Sequence, residues 1–126
     1  LQAKRDQAVT AWESAVAATM VHYINDVLQD METFGTEEYS FGDHAKHWSE
    51  LKGFALWLQF NPRSLVSDAD FVALHEAIGM APVLPSADAD EIEEYAAALI
   101  EAREILAVSY SFDVLNIGDE VGENGW

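Results

Sequence analysis

His47 and Glu50 are the residues best spaced for shared chemistry in this chain. Side chains three positions apart on a helix point the same way, so an imidazole and a carboxylate at this spacing can reach one ion. Helical-bundle metal sites use inward-facing Glu and His pairs of this kind. Imidazole with carboxylate suits iron or zinc better than calcium or magnesium. Two ligands do not complete a site. His44, one turn before His47, and His22, on an earlier helix, are the further candidates. The competing reading is a structural one, in which His47 and Glu50 form a buried polar network that sets helix register. Nucleophilic catalysis has no support: the chain has no Gly-x-Ser-x-Gly elbow, no phosphate-binding loop and no dinucleotide fingerprint. The two-histidine zinc-protease pattern His-Glu-x-x-His is also missing.

The elements that must position these residues are four helices. Apolar residues at three- and four-residue spacing (Val9, Trp12, Val16, Met20, Tyr23, Val27, Met31) predict a first helix over 3–31. Ala11, Ala15, Ala18 and His22 form a second face, small enough for another helix to approach. Gly35 is expected to end this helix and Thr36 to cap the next. The second helix is expected over 42–60, stopped by Asn61-Pro62. Its face Asp43, His47, Glu50, Leu51, Phe54, Leu58 is expected in or beside the core. If the turn centres near Thr36, His22 and Glu50 lie at similar height in an antiparallel hairpin, and Asp26 lies near the level of His47.

A short third helix begins after Ser67 and closes at Gly79, with His75 expected at the surface. The fourth is expected over 87–110, capped by Ser86 and opened by acids that match the positive helix end. Residues 113–126 are read as irregular. Long helices joined by short turns predict an all-α antiparallel bundle of about four helices, one domain over 1–126. Trp57, to one side of the buried face, is the candidate contact for a protein partner or a second copy.

Composition narrows the function classes. Twenty-three acids against six bases give a net charge of −17, which repels phosphate backbones and anionic membranes and argues against nucleic-acid binding. The chain has no cysteine, so it has no disulfide or thiolate metal site. No stretch approaches the roughly 18 apolar residues of a membrane span. It opens on Leu1 and ends abruptly at Gly125-Trp126, which suggests a processed product or a piece of a longer protein.

The stretch His44-Ala45-Lys46-His47-Trp48-Ser49-Glu50-Leu51-Lys52-Gly53-Phe54-Ala55-Leu56, continuing through Leu58-Gln59-Phe60-Asn61-Pro62-Arg63-Ser64, resembles a bacterial lipoprotein family related to the imelysins. Similarity extends through Asp68, Phe71, Leu74 and His75 to Ala81-Pro82-Val83-Leu84, about a third of the chain in all. The resemblance implies an α-helical protein of the bacterial periplasm, outer membrane or cell surface, made from a lipid-anchored precursor and built from two helical bundles. This chain would then be one half. Imelysin-like proteins carry a Gly-x-His-x-x-Glu signature and are linked to iron uptake and to a metallopeptidase activity. His47 and Glu50 match its last part, and Ala45 stands where the glycine would be. The function these observations lead to is a binding protein for iron or another divalent metal. The alternatives are a helical interaction module without chemistry and, third, a metallopeptidase.

Overall fold

The computed structural model describes all 126 residues. Its elements are α1 (Gln2–Glu32), α2 (Phe41–Trp57), α3 (Asp68–Ile78) and α4 (Ala89–Tyr110). Short 3-10 turns follow α2 at Leu58–Phe60 and α4 at Val114–Asn116. There is no sheet, only one isolated antiparallel bridge between Ile117 and Gly125. The expected all-helical bundle is what forms. α1 packs against α2 and α4, and α3 packs against α4 and α2.

The polar ends of the helices explain where they start. Ser40 Oγ accepts from the Asp43 amide and caps α2 at 3.3 Å, while Thr36, the expected cap, lies in the preceding turn and donates to Thr33 O. The displacement follows from Tyr39, whose ring meets Phe34 edge-on and whose hydroxyl bonds His44 Nδ1. That contact requires a non-helical stretch up to Ser40. α1 ends at Glu32 with Thr33 as its C-cap, and Gly35, expected to end it, takes the left-handed conformation (φ +79°) in the turn that follows. Ser67 caps α3 and Gly79 closes it at φ +76°. α4 is capped by Asp88 and not by Ser86: Asp88 Oδ1 accepts from the Glu91 amide at 2.9 Å, and Ser86 and Ala87 belong to the turn before it.

The core is built from Met20, Ile24, Val27, Leu51, Leu58, Leu74, Ile78, Leu99 and Leu106 and their neighbours. On α2 the innermost line is His44, Leu51 and Ala55, continued by Leu58 in the turn that follows; His47, Glu50 and Phe54 flank it, half-buried. The small-residue face of α1 stays open: Ala11, Ala15 and His22 are exposed. The second buried face is instead Glu13, Ala17, Val21, Ile24, Asn25 and Leu28. Val9 and Trp12 are also exposed. At 1.5 Å per residue α1 is about 46 Å long and overruns its partners, since the chain after α2 and the end of α4 both meet it at Glu13.

Glu13 is 1% exposed and has no counter-charge. Its Oε1 accepts from Tyr110 OH (2.6 Å), Ser64 Oγ (2.8 Å) and the Leu65 amide (2.9 Å), and its Oε2 from Asn61 Nδ2. Burial raises the carboxyl's pKa, but these four donors outweigh it and hold the group below the usual range. One carboxylate thus ties α1 to the end of α4 and to the loop before α3.

The tail is ordered as a strap across α1. Asn25 Nδ2 donates to Ile117 O and Trp126 O, and Gln29 Nε2 to Gly122 O. Asp119 Oδ1 accepts from the Val121 and Glu123 amides. Gly122, at φ +80°, has no room for a side chain, because a Cβ would run into the Asn25 backbone. Beneath the strap Arg103 is 4% exposed and donates from Nη1 to Asn25 Oδ1 at 2.6 Å. None of these tail contacts has a period that sequence reasoning could detect.

Candidate functional site

His22, Asp26 and Asp30 recur every four residues on α1, so they form one polar stripe beside the α2 interface. The antiparallel hairpin sets His47 of α2 against that stripe. His47 Nδ1 donates to Asp30 Oδ2 at 2.8 Å. A carboxylate can only accept, so the proton in this bond lies on Nδ1, while the other ring nitrogen, Nε2, faces Asp26, whose Oδ2 lies 3.8 Å away. The same Asp26 oxygen is 3.3 Å from His22 Nε2. Two imidazole nitrogens therefore face one carboxylate oxygen, and a second carboxylate holds the far side of one ring.

The environment is intermediate between core and solvent. The side chains of His47, Asp26 and Asp30 are 23%, 22% and 18% exposed, and that of His22 is 49%. Tyr23 forms the apolar wall, stacked on Phe54 at 6.0 Å and tilted against His47 at 6.3 Å. Glu50 lies with Tyr23. Its carboxylate is the largest influence that pushes the Tyr23 phenol up, followed by loss of solvent and the charge of Asp26. Glu50 Oε2 is out of contact with water and has no hydrogen-bond partner.

Of the residues singled out from sequence, the structure brings His47 and His22 together, through Asp26. His44 goes elsewhere. It is wholly buried among Phe34 and Tyr39, with Nδ1 bonded to Tyr39 OH and Nε2 unpartnered. Burial, the largest influence, lowers its pKa, with His47 adding to this and Asp30 opposing it, so the ring is neutral. His75 is not the surface residue expected: it is half-buried, its ring packs on Phe71 at 4.4 Å between centroids, and burial lowers its pKa. Trp57 is half-buried against the core. Trp48 Nε1 and Tyr95 OH both donate to Ile78 O, finishing the C-terminus of α3.

Asp30 is the site residue that sequence reasoning missed, and Asp26 entered it only by its height in the hairpin. The four-residue spacing of His22, Asp26 and Asp30 was the available signal. It was hard to separate from ordinary surface polarity in a chain with 23 acids.

Chemically the arrangement offers two nitrogen donors and one oxygen donor at the bundle surface. A histidine ligand commonly donates its other ring N–H to a carboxylate, which fixes the tautomer and raises ligand basicity; the Asp30–His47 bond has that form. As they stand, no three His, Asp or Glu side chains are arranged to hold a metal ion, so His22, the most exposed of the set, would have to turn onto the ion. No family model, curated protein or solved structure matches this chain.

Proposed function

We propose that this chain is an imelysin-related helical protein of the bacterial periplasm or cell surface that captures iron or another divalent metal ion at the α1–α2 interface. The observation that carries the reading is the pair of imidazole Nε2 atoms, from His22 and His47, facing the same Asp26 oxygen while Asp30 secures His47 from behind. His22, His47 and Asp26 would hold the ion, and Asp30 would orient His47. A nitrogen-rich donor set of this kind suits Fe2+ or Zn2+ over Ca2+ or Mg2+. The ion would supply a polarising positive charge between two carboxylates. The −17 net charge concentrates cations near the surface. Glu50, drawn to Tyr23, supports the wall of the site and is not one of the three donors.

The test is thermal and chemical unfolding with and without Zn2+, or Fe2+ under anaerobic conditions. A ligand that binds only the folded state at a hundred times its Kd adds about 2.7 kcal/mol. The wild type and Glu50→Ala should both respond, whereas His22→Ala/His47→Ala should not. An equal response in the double variant would refute the assignment, and loss of response in Glu50→Ala alone would move the site to the His47–Glu50 pair.

A further inference from the structure

A different face of the molecule carries a second, independent conclusion. Residues 88–126 hold eleven of the chain's 23 acids and a single base, Arg103, which is buried. In this region a half-open groove of about 350 Å³ runs between the end of α1 and the first half of α4, with the strap at its edge. Its floor is apolar, made by Met31, Ile92 and Ala96. Its rim carries three exposed carboxylates from three elements: Glu32 of α1, Glu93 of α4 and Glu120 of the strap. No lysine, arginine or histidine of the chain pairs with any of them. Glu32 is also set against its own helix. It is the last residue of α1, at the negative pole, and the last turn holds no base to balance it.

We infer that this groove docks a basic segment of another protein, which lays the aliphatic stem of an arginine or lysine on Met31, Ile92 and Ala96 and sets the cationic head among Glu32, Glu93 and Glu120. Charge selects the occupant. Unpaired carboxylates around one depression attract a cation and repel an acidic partner, a second copy of net charge −17 included. The carboxylates are not grouped to hold a metal ion, so the matching charge is one carried on a long side chain. The floor agrees, because lysine and arginine bury their stems on apolar surface while the head stays in water. A guanidinium presents several donors and can meet carboxylates on more than one side. The same cation would meet the negative end of α1. The volume stands at the lower end of the roughly 300–1,000 Å³ of ligand pockets, which suits a side chain offered by a partner's surface.

The test is calorimetric titration with two synthetic peptides of equal positive charge, one an amphipathic Leu/Arg sequence and the other Ser/Arg, with a chelator present so that it is independent of the metal reading. The Leu/Arg peptide should bind, more weakly as salt is raised, and should shift the methyl resonances of Met31, Ile92 and Ala96. Glu32→Gln/Glu93→Gln/Glu120→Gln should weaken it about tenfold. Glu76→Gln/Glu101→Gln/Glu104→Gln removes the same charge elsewhere and should change affinity less than about twofold. All six positions are exposed, so both variants should melt like the wild type. The Ser/Arg peptide, which cannot use the floor, should bind about tenfold more weakly. No binding of the Leu/Arg peptide up to about 1 mM, equal losses in the two triple variants, or equal affinity for the two peptides would each overturn the inference.

Discussion

Glu13 offers the most direct test of how this bundle is held. Glu13→Ala removes the acceptor of four hydrogen bonds and strands Tyr110 OH, Asn61 Nδ2, Ser64 Oγ and the Leu65 amide around a cavity. Each stranded buried donor costs about 1–3 kcal/mol. The exposed loop at 62–65 can turn some of them to water, so the sum should fall to about 4 kcal/mol, a large share of the roughly 5–15 kcal/mol that holds a domain folded. Glu13→Gln keeps the shape and one acceptor oxygen, and a loss of about 1–2 kcal/mol is expected. Its amide would face Asn61, which cannot simply flip because Asn61 Oδ1 accepts from the Arg63 amide.

The two losses should be read from urea unfolding by circular dichroism at neutral pH and then followed into acid. Because the folded carboxyl lies below its ordinary 4.5, the unfolded state takes up the proton first. Glu13's contribution is thus complete above 4.5 and disappears as pH falls through the folded value. Wild type and Glu13→Gln should therefore converge in acid. Parallel stability profiles, or a Glu13→Gln protein as stable as wild type at neutral pH, would refute the account of a carboxylate stabilised by donors without a counter-charge.

Two further outcomes follow from buried groups and the strap. His44 is folded with its pKa below the ordinary 6.5, so the unfolded chain binds the proton first, and stability should decline as pH drops below about 6.5. His44→Phe should flatten that decline by up to about 1.4 kcal/mol per pH unit, and an unchanged slope in melts across this range would contradict the burial. Gly122→Ala should cost about 2–3 kcal/mol and detach residues 113–126 from Asn25 and Gln29, which limited proteolysis would report as faster cleavage there. Unaltered protection would show that the strap tolerates a side chain where its backbone meets α1.

Much of the architecture was legible because helix formation is mainly local. The apolar period, Gly35, Gly79, Ser67 and Asn61-Pro62 are short-range signals, and each acts within a few residues of where it sits. The caps that were misplaced, Thr36 for Ser40 and Ser86 for Asp88, fail for a related reason: several cap-competent residues stand close together, and a contact such as Tyr39 with His44 decides among them. His47 was identifiable as a chemically placed residue from its spacing alone. Its partners were not, because Asp30 is seventeen positions away and the register of the hairpin decides which carboxylate it meets.

By itself, then, the sequence determined the helical class, the helix count, the acidic surface and the position of His47 beside the core. Only the packed chain decided the rest. It moved Glu50 to Tyr23, sent His44 into the core, joined His22 to His47 through Asp26, and left the start of α1, Gln2–Trp12, largely exposed. It also folded residues 113–126 into a strap. The physical reason is common to all of these. Periodicity states which side of a helix avoids water, but the neighbour supplied to that side depends on where the other helices begin, end and cross.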